Sequence, residues 1–400
     1  MVDVVRRSPP RGRWPAPVRL VGTATVVIAA LACRLPVRPQ APLGTAGMVS
    51  SQVRLMGRFV ADPAHPETRL FAWGNSGVEV RFRGPPPVFI LGKSDLRQAV
   101  QYFALTLDDG APWRCTLVGE HAELGVPSHH GRGDGRPHRL RLVRLSEASV
   151  GEARLLGIRV PPATTLLPAI RPPRPHLVVV GDSISAGYGN LSPDAHQPFS
   201  PRDEDASQAF GPLAAGLLGG ETTVLAFSGK GAARNRDGSQ VDTMAELWRR
   251  ALPDSAWSHG TADEDPGSVD AAVVNLGTND LAARGFEAAS LGDGIGGILR
   301  ALRRAYPHAH LVACIGPMLQ DAPPRADELT VAREQIGRAV EEFCRQVDNN
   351  ISALEFPAQT AADGYGSDYH PSLATHRAMA ERLAEHLRGR LPTGALPDPR

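Results

Sequence analysis

The stretch HLVVVGDSISAGYGN, residues 176–190, runs an apolar segment straight into glycine, aspartate and two serines, with two more glycines before Asn190. An unbroken apolar run of this kind suits a strand buried on both faces of a parallel sheet. Open α/β sheets place their ligands and chemistry in the loops at the carboxyl ends of such strands. The stretch therefore predicts an α/β sheet and makes Ser183 a candidate nucleophile. A plainer reading is also available at this point, because Asp and Ser are good helix N-caps and the tripeptide alone is compatible with a capped turn. The segment has neither the GxxxxGK[ST] nor the GxGxxG arrangement of phosphate-binding loops. It also lacks the GxSxG elbow of the ordinary α/β-hydrolases.

Downstream, apolar runs alternate with helical patterns. After the strand at 178–180 come a helix near Ser207 to Leu218, the strand TTVLAF, a helix near Thr243 to Arg250 and the strand AAVVNLG. A helix around Gly296 to Tyr306, the strand HLVACIG, the helix ADELTVAREQIGRAVEEFCRQV, the strand ISALEF and an amphipathic helix from Leu373 to Arg388 complete the series. Strands alternating with helices predict a parallel, three-layer α/β domain over residues 176–390, followed by a tail, 391–400.

Upstream the pattern is different. From Gln52 to about Val160 the chain reads as short strands with period-two alternation: VRLMGRFV, RLFAW, VEVRFR, YFALTL, WRCTLVG, HRLRLVRL and ARLLGIRV. Several such strands separated by turn signals predict an antiparallel sandwich, here over residues 46–165. In VEVRFR the alternation sets Val78, Val80 and Phe82 inward and Glu79, Arg81 and Arg83 outward. The loop AELGVPSHHGRGDGRPH brings His129, His130 and His138 near Asp134, but without helical ligand spacing, so it reads as a solvated hairpin loop and no metal is assigned. The proline-rich run from Pro161 to Pro175 reads as a stiff connection, with the linker itself at 166–175.

Residues 1–45 form a third region. Arg6, Arg7, Arg11, Arg13 and Arg19 precede the apolar run LVGTATVVIAALA, which ends at Cys33. This is the layout of a positive n-region and a short h-region, so export is expected. The ending ALAC resembles a bacterial lipoprotein processing site with Cys33 as the lipidated residue, although Leu31 sits one position later than that site prefers. Ordinary cleavage and a retained membrane anchor are the alternatives, as is a buried helix of the mature fold. The other three cysteines, Cys115, Cys314 and Cys344, show no CxxC spacing and give no zinc site or disulfide framework. With 42% hydrophobic residues and a formal net charge of +1, the 400-residue chain is globular, is long enough for two cores, and offers no electrostatic case for nucleic acid.

Three more stretches fall where GDSIS does, at the ends of expected strands: FSGKGAARN after TTVLAF, NLGTND after AAVV, and GSDYHPS before the last helix. Glycines allow close backbone approach, Asn279 carries a side-chain NH₂, and His370 is the histidine at such a junction. Nucleophile, base and oxyanion donors are then all at hand.

These four blocks resemble those of the SGNH (GDSL-type) hydrolases. The resemblance extends into the sandwich, where VRLMGRF, RLFAWGNSGVEVRF and RLSEAS, with GDSISAGYGN, FSGKGAARN and SDYHPSLATHRAMAERL, are similar to their counterparts in the family-2 carbohydrate esterases. It covers nearly all of residues 53–387. The resemblance implies an N-terminal jelly roll followed by a flavodoxin-like SGNH domain, with no cofactor. It implies Ser183 as nucleophile, His370 as base, and an oxyanion hole made by the Ser183 and Gly229 N–H groups and the Asn279 side chain. Chemistry agrees, since a serine hydroxyl needs a base and a tetrahedral oxyanion needs preorganised donors. Tyr369 and Tyr188 are expected to line the substrate pocket. Where the superfamily usually has aspartate three positions before the histidine this chain has Ser367, and Asp368 lies two before, so either Asp368 or a backbone carbonyl orients His370. The expected activity is removal of acetyl groups from xylan or a related polysaccharide. A non-catalytic glycan-binding protein, or a lipase or thioesterase, are the competing readings.

Overall fold

The computed structural model describes residues 51–94, 100–126, 135–170, 172, 174–259, 268–282, 287–322 and 327–391. All of them fall within one compact unit, Leu43–Arg400. Cys33, His129, His130 and Asp134 lie outside the described residues.

The amino-terminal half is built from β1 (Val53–Met56), β2 (Val60–Ala61), β3 (Arg69–Phe71), β4 (Gly77–Arg83), β5 (Val88–Lys93), β6 (Gln101–Leu107), β7 (Trp113–Leu117), β8 (His121–Leu124), β9 (His138–Arg144), β10 (Ala153–Arg159) and β11 (Thr165–Leu167). One sheet has the order β1-β4-β9-β6-β7 and the other β2-β3-β10-β5-β8. All their pairings are antiparallel. Between the sheets lies a core that includes Phe59, Phe71, Val78, Val80, Phe82, Phe89, Phe103 and Leu155. The seven alternating runs reach eight of these strands, β1 and β2 sharing VRLMGRFV. They pass over β5 and β8, and β11 fell in the run read as a stiff connection.

Two details differ from the alternation reading. Glu79 points away from the core as expected, yet it is only 2% exposed. It pairs directly across to Arg54 on β1 and to Arg141 on β9, and the arginines cover it, with Arg54 Nε donating to its carboxylate at 3.2 Å. The second difference is at the domain boundary. β11 pairs with Arg81–Arg83 on the same edge of β4 that β1 occupies farther along, so the sheet continues through Leu167 and the connection proper starts at Pro168. His138, the described member of the histidine loop, begins β9 and sits against Asp108 (Nδ1 to Oδ2, 2.9 Å).

The carboxyl-terminal half carries β12 (His176–Gly181), α1 (Ser183–Ala186), α2 (Phe210–Leu217), β13 (Glu221–Ala226), α3 (Met244–Leu247), β14 (Ala271–Asn275), α4 (Thr278–Ala282), α5 (Ala288–Ala305), β15 (His310–Ile315), α6 (Glu328–Gln346), β16 (Ile351–Glu355) and α7 (Leu373–Arg388). Its five strands are all parallel, in the order β13-β12-β14-β15-β16. Alternate residues of β12 serve opposite faces. Val178 and Val180 join the core under α5 and α6, whereas Leu177 and Val179 join the core under α2 and α7. On α5 the residues Leu291, Ile295, Ile298, Leu299 and Leu302 form one apolar stripe facing the sheet. Since β13 and β14 flank β12 on opposite sides, the chain reverses direction across the sheet at β12 and β14. A crevice at such a switch point is where this class of sheet binds ligands.

Candidate active site

Every block named from the sequence reaches that crevice. β12 is buried and ends at Gly181. Asp182 then caps α1, its carboxylate accepting the Ile184 N–H at 3.0 Å, which sets Ser183 as the first helical residue. The Ser183 hydroxyl meets His370 Nε2 at 2.9 Å. Both residues are buried, 7% and 5% exposed. His370 Nδ1 lies 3.1 Å from the Ser367 carbonyl. A carbonyl only accepts, so Nδ1 holds the proton and the Nε2 lone pair faces the serine. Burial pushes the His370 pKa down to about 4, against the opposing pull of the Ser367 and Asp368 carbonyls and the Asp368 charge. The imidazole is therefore neutral, as a base must be.

Ser367 is delivered by close packing. Its N–H donates to the Gly189 carbonyl at 3.1 Å, and a Cβ on Gly189, where φ is +59°, would collide with the Ser367 side chain. Asp368 and Tyr369 both take left-handed backbone, φ +50° and +61°. Two consecutive non-glycine residues in that region cost of the order of 1–3 kcal/mol each, and such strain gathers at working sites. The turn they make decides the place of Asp368. Its carboxylate accepts the Tyr188 hydroxyl at 2.8 Å, and the Ser367 carbonyl holds the orienting position on His370. The structure thus corrects the direct Asp368–His370 contact and keeps the backbone alternative. Tyr188 lies over the His370 ring at a centroid distance of 4.2 Å and stacks on Phe199 on its other side. Tyr369 is half exposed at the rim, its ring edge-on to His196, and is not among the residues that line the catalytic cavity.

Gly229 follows β13 with φ +81° and open space where a side chain would be. Among the described residues its N–H has no acceptor. Asn279, at the start of α4, gives one N–H to the Lys230 carbonyl at 2.8 Å and makes a long 3.4 Å contact to Asp182 with the same nitrogen. Its neighbour Asp280 is buried and accepts the N–H groups of Ala232, Ala233 and Arg234 at 2.7 to 2.9 Å, so the third block fastens the second. Burial raises the Asp280 pKa against those bonds. Asp182, wholly buried, is pushed up to about 7 by desolvation, with Asp280 adding to the rise.

These groups line a cavity of about 100 Å³ with Ser183, Tyr188, Gly229, Asn279, Asp368 and His370 in its wall. Ser228, Arg236, Thr278, Ala282 and Met318 complete it; Ser228 and Thr278 belong to the blocks FSGKGAARN and NLGTND, whereas Arg236, Ala282 and Met318 lie outside the blocks named from the sequence. Met318 had a usable signal, because it follows β15 at the same carboxyl edge. Arg236 had none: its loop folds back so that the Arg236 N–H bonds the Gly229 carbonyl at 2.9 Å. Among the described residues no group of three or more His, Cys, Asp or Glu side chains is placed to hold a metal ion.

Comparison with known proteins agrees with this geometry. Residues 179–378 match the GDSL-like Lipase/Acylhydrolase family, and residues 55–169 match the Carbohydrate esterase 2 N-terminal region. The chain is 30% identical over 336 residues to the cellulase/esterase CelE of Acetivibrio thermocellus, which covers 84% of this chain but only 39% of that larger protein. It is 25% identical over 341 residues to an acetylxylan esterase / glucomannan deacetylase of Cellvibrio japonicus, covering 82% and 88% of the two chains. Among solved structures, a family two carbohydrate esterase from Clostridium thermocellum in complex with cellohexaose superposes with a TM-score of 0.75 at 29% identity, over 84% of this chain and 98% of that one. Two family matches in the same order along one chain, each falling on one structural half, place this protein in the GDSL-like Lipase/Acylhydrolase family with a Carbohydrate esterase 2 N-terminal region.

Proposed function

We propose that this protein is a serine esterase that removes O-acetyl groups from a polysaccharide of the xylan or glucomannan type through an acyl-enzyme intermediate. The observation that carries the reading is the 2.9 Å bond from the Ser183 hydroxyl to a neutral His370, beside the Gly229 N–H, which has no acceptor among the described residues. The Ser183 oxygen bonds to the acyl carbon while its proton passes to His370 Nε2. The Ser183 and Gly229 N–H groups and the Asn279 amide receive the oxyanion. Collapse expels the sugar oxygen, which takes the proton from His370, and water repeats the sequence to release acetate.

Cavity size supports a short acyl group. An engineered protein cavity of about 150 Å³ holds benzene. The 100 Å³ here suits acetyl better than a fatty chain, which favours the deacetylase over the lipase reading. The glycan assignment draws on the relatives' names and on the cellohexaose bound by the Clostridium thermocellum enzyme. Within the same reading the β half is a jelly roll and the α/β half a three-layer flavodoxin-like domain, in keeping with the β13-β12-β14-β15-β16 order. Export belongs to it as well, through the arginine-flanked apolar run and Cys33, with either secretion or lipid anchoring as the outcome.

The test is acetate release from acetylated xylan, acetylated glucomannan, chitin fragments and peptidoglycan, with Ser183→Ala as control. Release from a plant polysaccharide that needs Ser183 is the expected result. Glycan binding with no turnover on any of the four overturns the proposal.

A further inference from the structure

We infer that Glu147, a residue of the β half, positions the oxyanion loop of the hydrolytic site. The inference rests on reading Gly229 as an oxyanion donor. A peptide N–H is useful there only if its plane is fixed, and the loop is held on both flanks of Gly229. Past it, Asp280 collects three consecutive N–H groups. Before it, the adjoining residue Ser228 donates its N–H to Glu147 Oε2 at 2.8 Å.

Glu147 is itself rigidly mounted. It follows β9 in the segment RLSEAS and is 1% exposed. Its own N–H donates to Glu204 Oε2 at 2.9 Å, and its carbonyl accepts from Arg144 Nη2 at 3.2 Å. Arg144 is wholly buried and also binds the Ser146 and Gly151 carbonyls and the Gln101 side chain, so the guanidinium knits the turn that presents Glu147. Glu204, in turn, adjoins Asp205, which exchanges two 2.9 Å bonds with Asn190 at the end of the nucleophile stretch. One residue from the β half thereby ties two segments, holding the loop bearing Gly229 with its side chain and, through its backbone N–H, the Glu204 side chain of the segment that braces the loop bearing Ser183.

The role is geometric. A negative charge behind an oxyanion hole opposes the developing oxyanion, and the Glu147 charge is felt at the site, where it raises the pKa of both Asp182 and Tyr188. Burial pushes the Glu147 and Glu204 carboxyls up, with Arg144 opposing. What the site needs from Glu147 is therefore an acceptor oxygen at the right place, which an amide also supplies.

The experiment measures kcat and KM on 4-nitrophenyl acetate and acetylated xylan for wild type, Glu147→Ala, Glu147→Gln, Glu147→Asp and Ser183→Ala, with thermal melts of each. Misplacement by an ångström costs up to about 10²-fold. Glu147→Ala should lose about 10- to 100-fold in kcat with KM within about twofold, and Glu147→Gln should recover to within about threefold of wild type. Full activity in folded Glu147→Ala, or Gln as impaired as Ala, overturns the inference. Should the alanine variant not fold, the pair Gln and Asp decides it: active Gln with impaired Asp, whose oxygen is withdrawn by one methylene, supports positioning, and equal activity overturns it. Wild-type turnover that survives Ser183→Ala instead removes the esterase reading itself, whatever the Glu147 variants do.

Discussion

The two halves of the molecule supply the site in different ways. In the α/β half the nucleophile and the oxyanion groups sit at the carboxyl ends of strands, a few residues from the apolar runs that announce them, Ser183 after β12, Gly229 after β13 and Asn279 after β14, and His370 arrives on the longer segment between β16 and α7. The β half contributes through side chains that cross to the other half. Arg58 buries its guanidinium against Tyr306 (Nη2 to the hydroxyl, 3.1 Å) and over the Trp248 ring, and its other nitrogen donates to the Trp248 carbonyl. Asn75 donates to the Thr222 carbonyl at 2.9 Å, Arg54 pairs with Glu221 at 2.6 Å, and Trp73 donates to the Arg250 carbonyl at 3.0 Å. Val60, Leu70, Ala72, Trp73 and Ala148 belong to the same apolar core as the parallel sheet. The β half is thus part of the catalytic scaffold. A tethered module would leave a smaller, more polar boundary with its neighbour.

The comparison can be broken most directly at the chemistry. Ser183→Ala and His370→Ala should each lower kcat for acetyl-ester hydrolysis by about 10⁵ to 10⁶ with the melting temperature nearly unchanged, since loss of either member of a nucleophile–base pair removes the pathway. Activity retained in either variant would show that the site lies elsewhere.

Next comes the shared core. Trp73 is wholly buried at the junction, and Trp73→Ala should cost about 3–5 kcal/mol of stability. Calorimetry should record one transition at lower temperature, with activity lost in the same transition. Two separate transitions, the α/β half keeping its wild-type midpoint, would make the halves independent after all.

The pH profile tests the buried base. The reactive form of His370 is neutral, and its pKa is depressed from 6.5 to about 4, so the neutral form is lost only as pH falls through about 4. At pH 5 the enzyme should therefore be about thirtyfold more active than one with an ordinary histidine, and kcat/KM should hold from neutrality to near pH 5. An acid limb centred at 6.5 would contradict the burial.

The smallest effect is expected at Asp368. A carboxylate that orients a catalytic histidine costs about 10⁴ in rate when neutralised. Here it bonds Tyr188, and asparagine still offers an oxygen to that hydroxyl, so Asp368→Asn should stay within about tenfold of wild type. A loss equal to that of His370→Ala would make it a full triad member.

How far the sequence reaches follows from the range of the forces involved. Apolar runs, period-two alternation and glycine punctuation are local, and they were enough for the alternating strands and longer helices of the α/β half, most strands of the β half, the β-then-α/β division, and the junctions bearing Ser183, Gly229, Asn279 and His370. The amphipathic pattern even gave α7 its bounds, because Ser372 caps it and Met379, Leu383 and Leu387 share one face. What the sequence left open depends on which atoms meet once the sheets pack. Spacing kept both Asp368 and a carbonyl available to His370, and the choice fell to two left-handed residues, Asp368 and Tyr369, that follow Ser367, the residue packed on Gly189. Glu79 read as an outward charge until cross-strand arginines covered it. Glu147 read as one letter of a β-half motif, and its bond to Ser228 spans 81 positions. Hydrogen bonds of that kind are fixed by the docking of two cores, a long-range outcome that no window of neighbouring residues encodes.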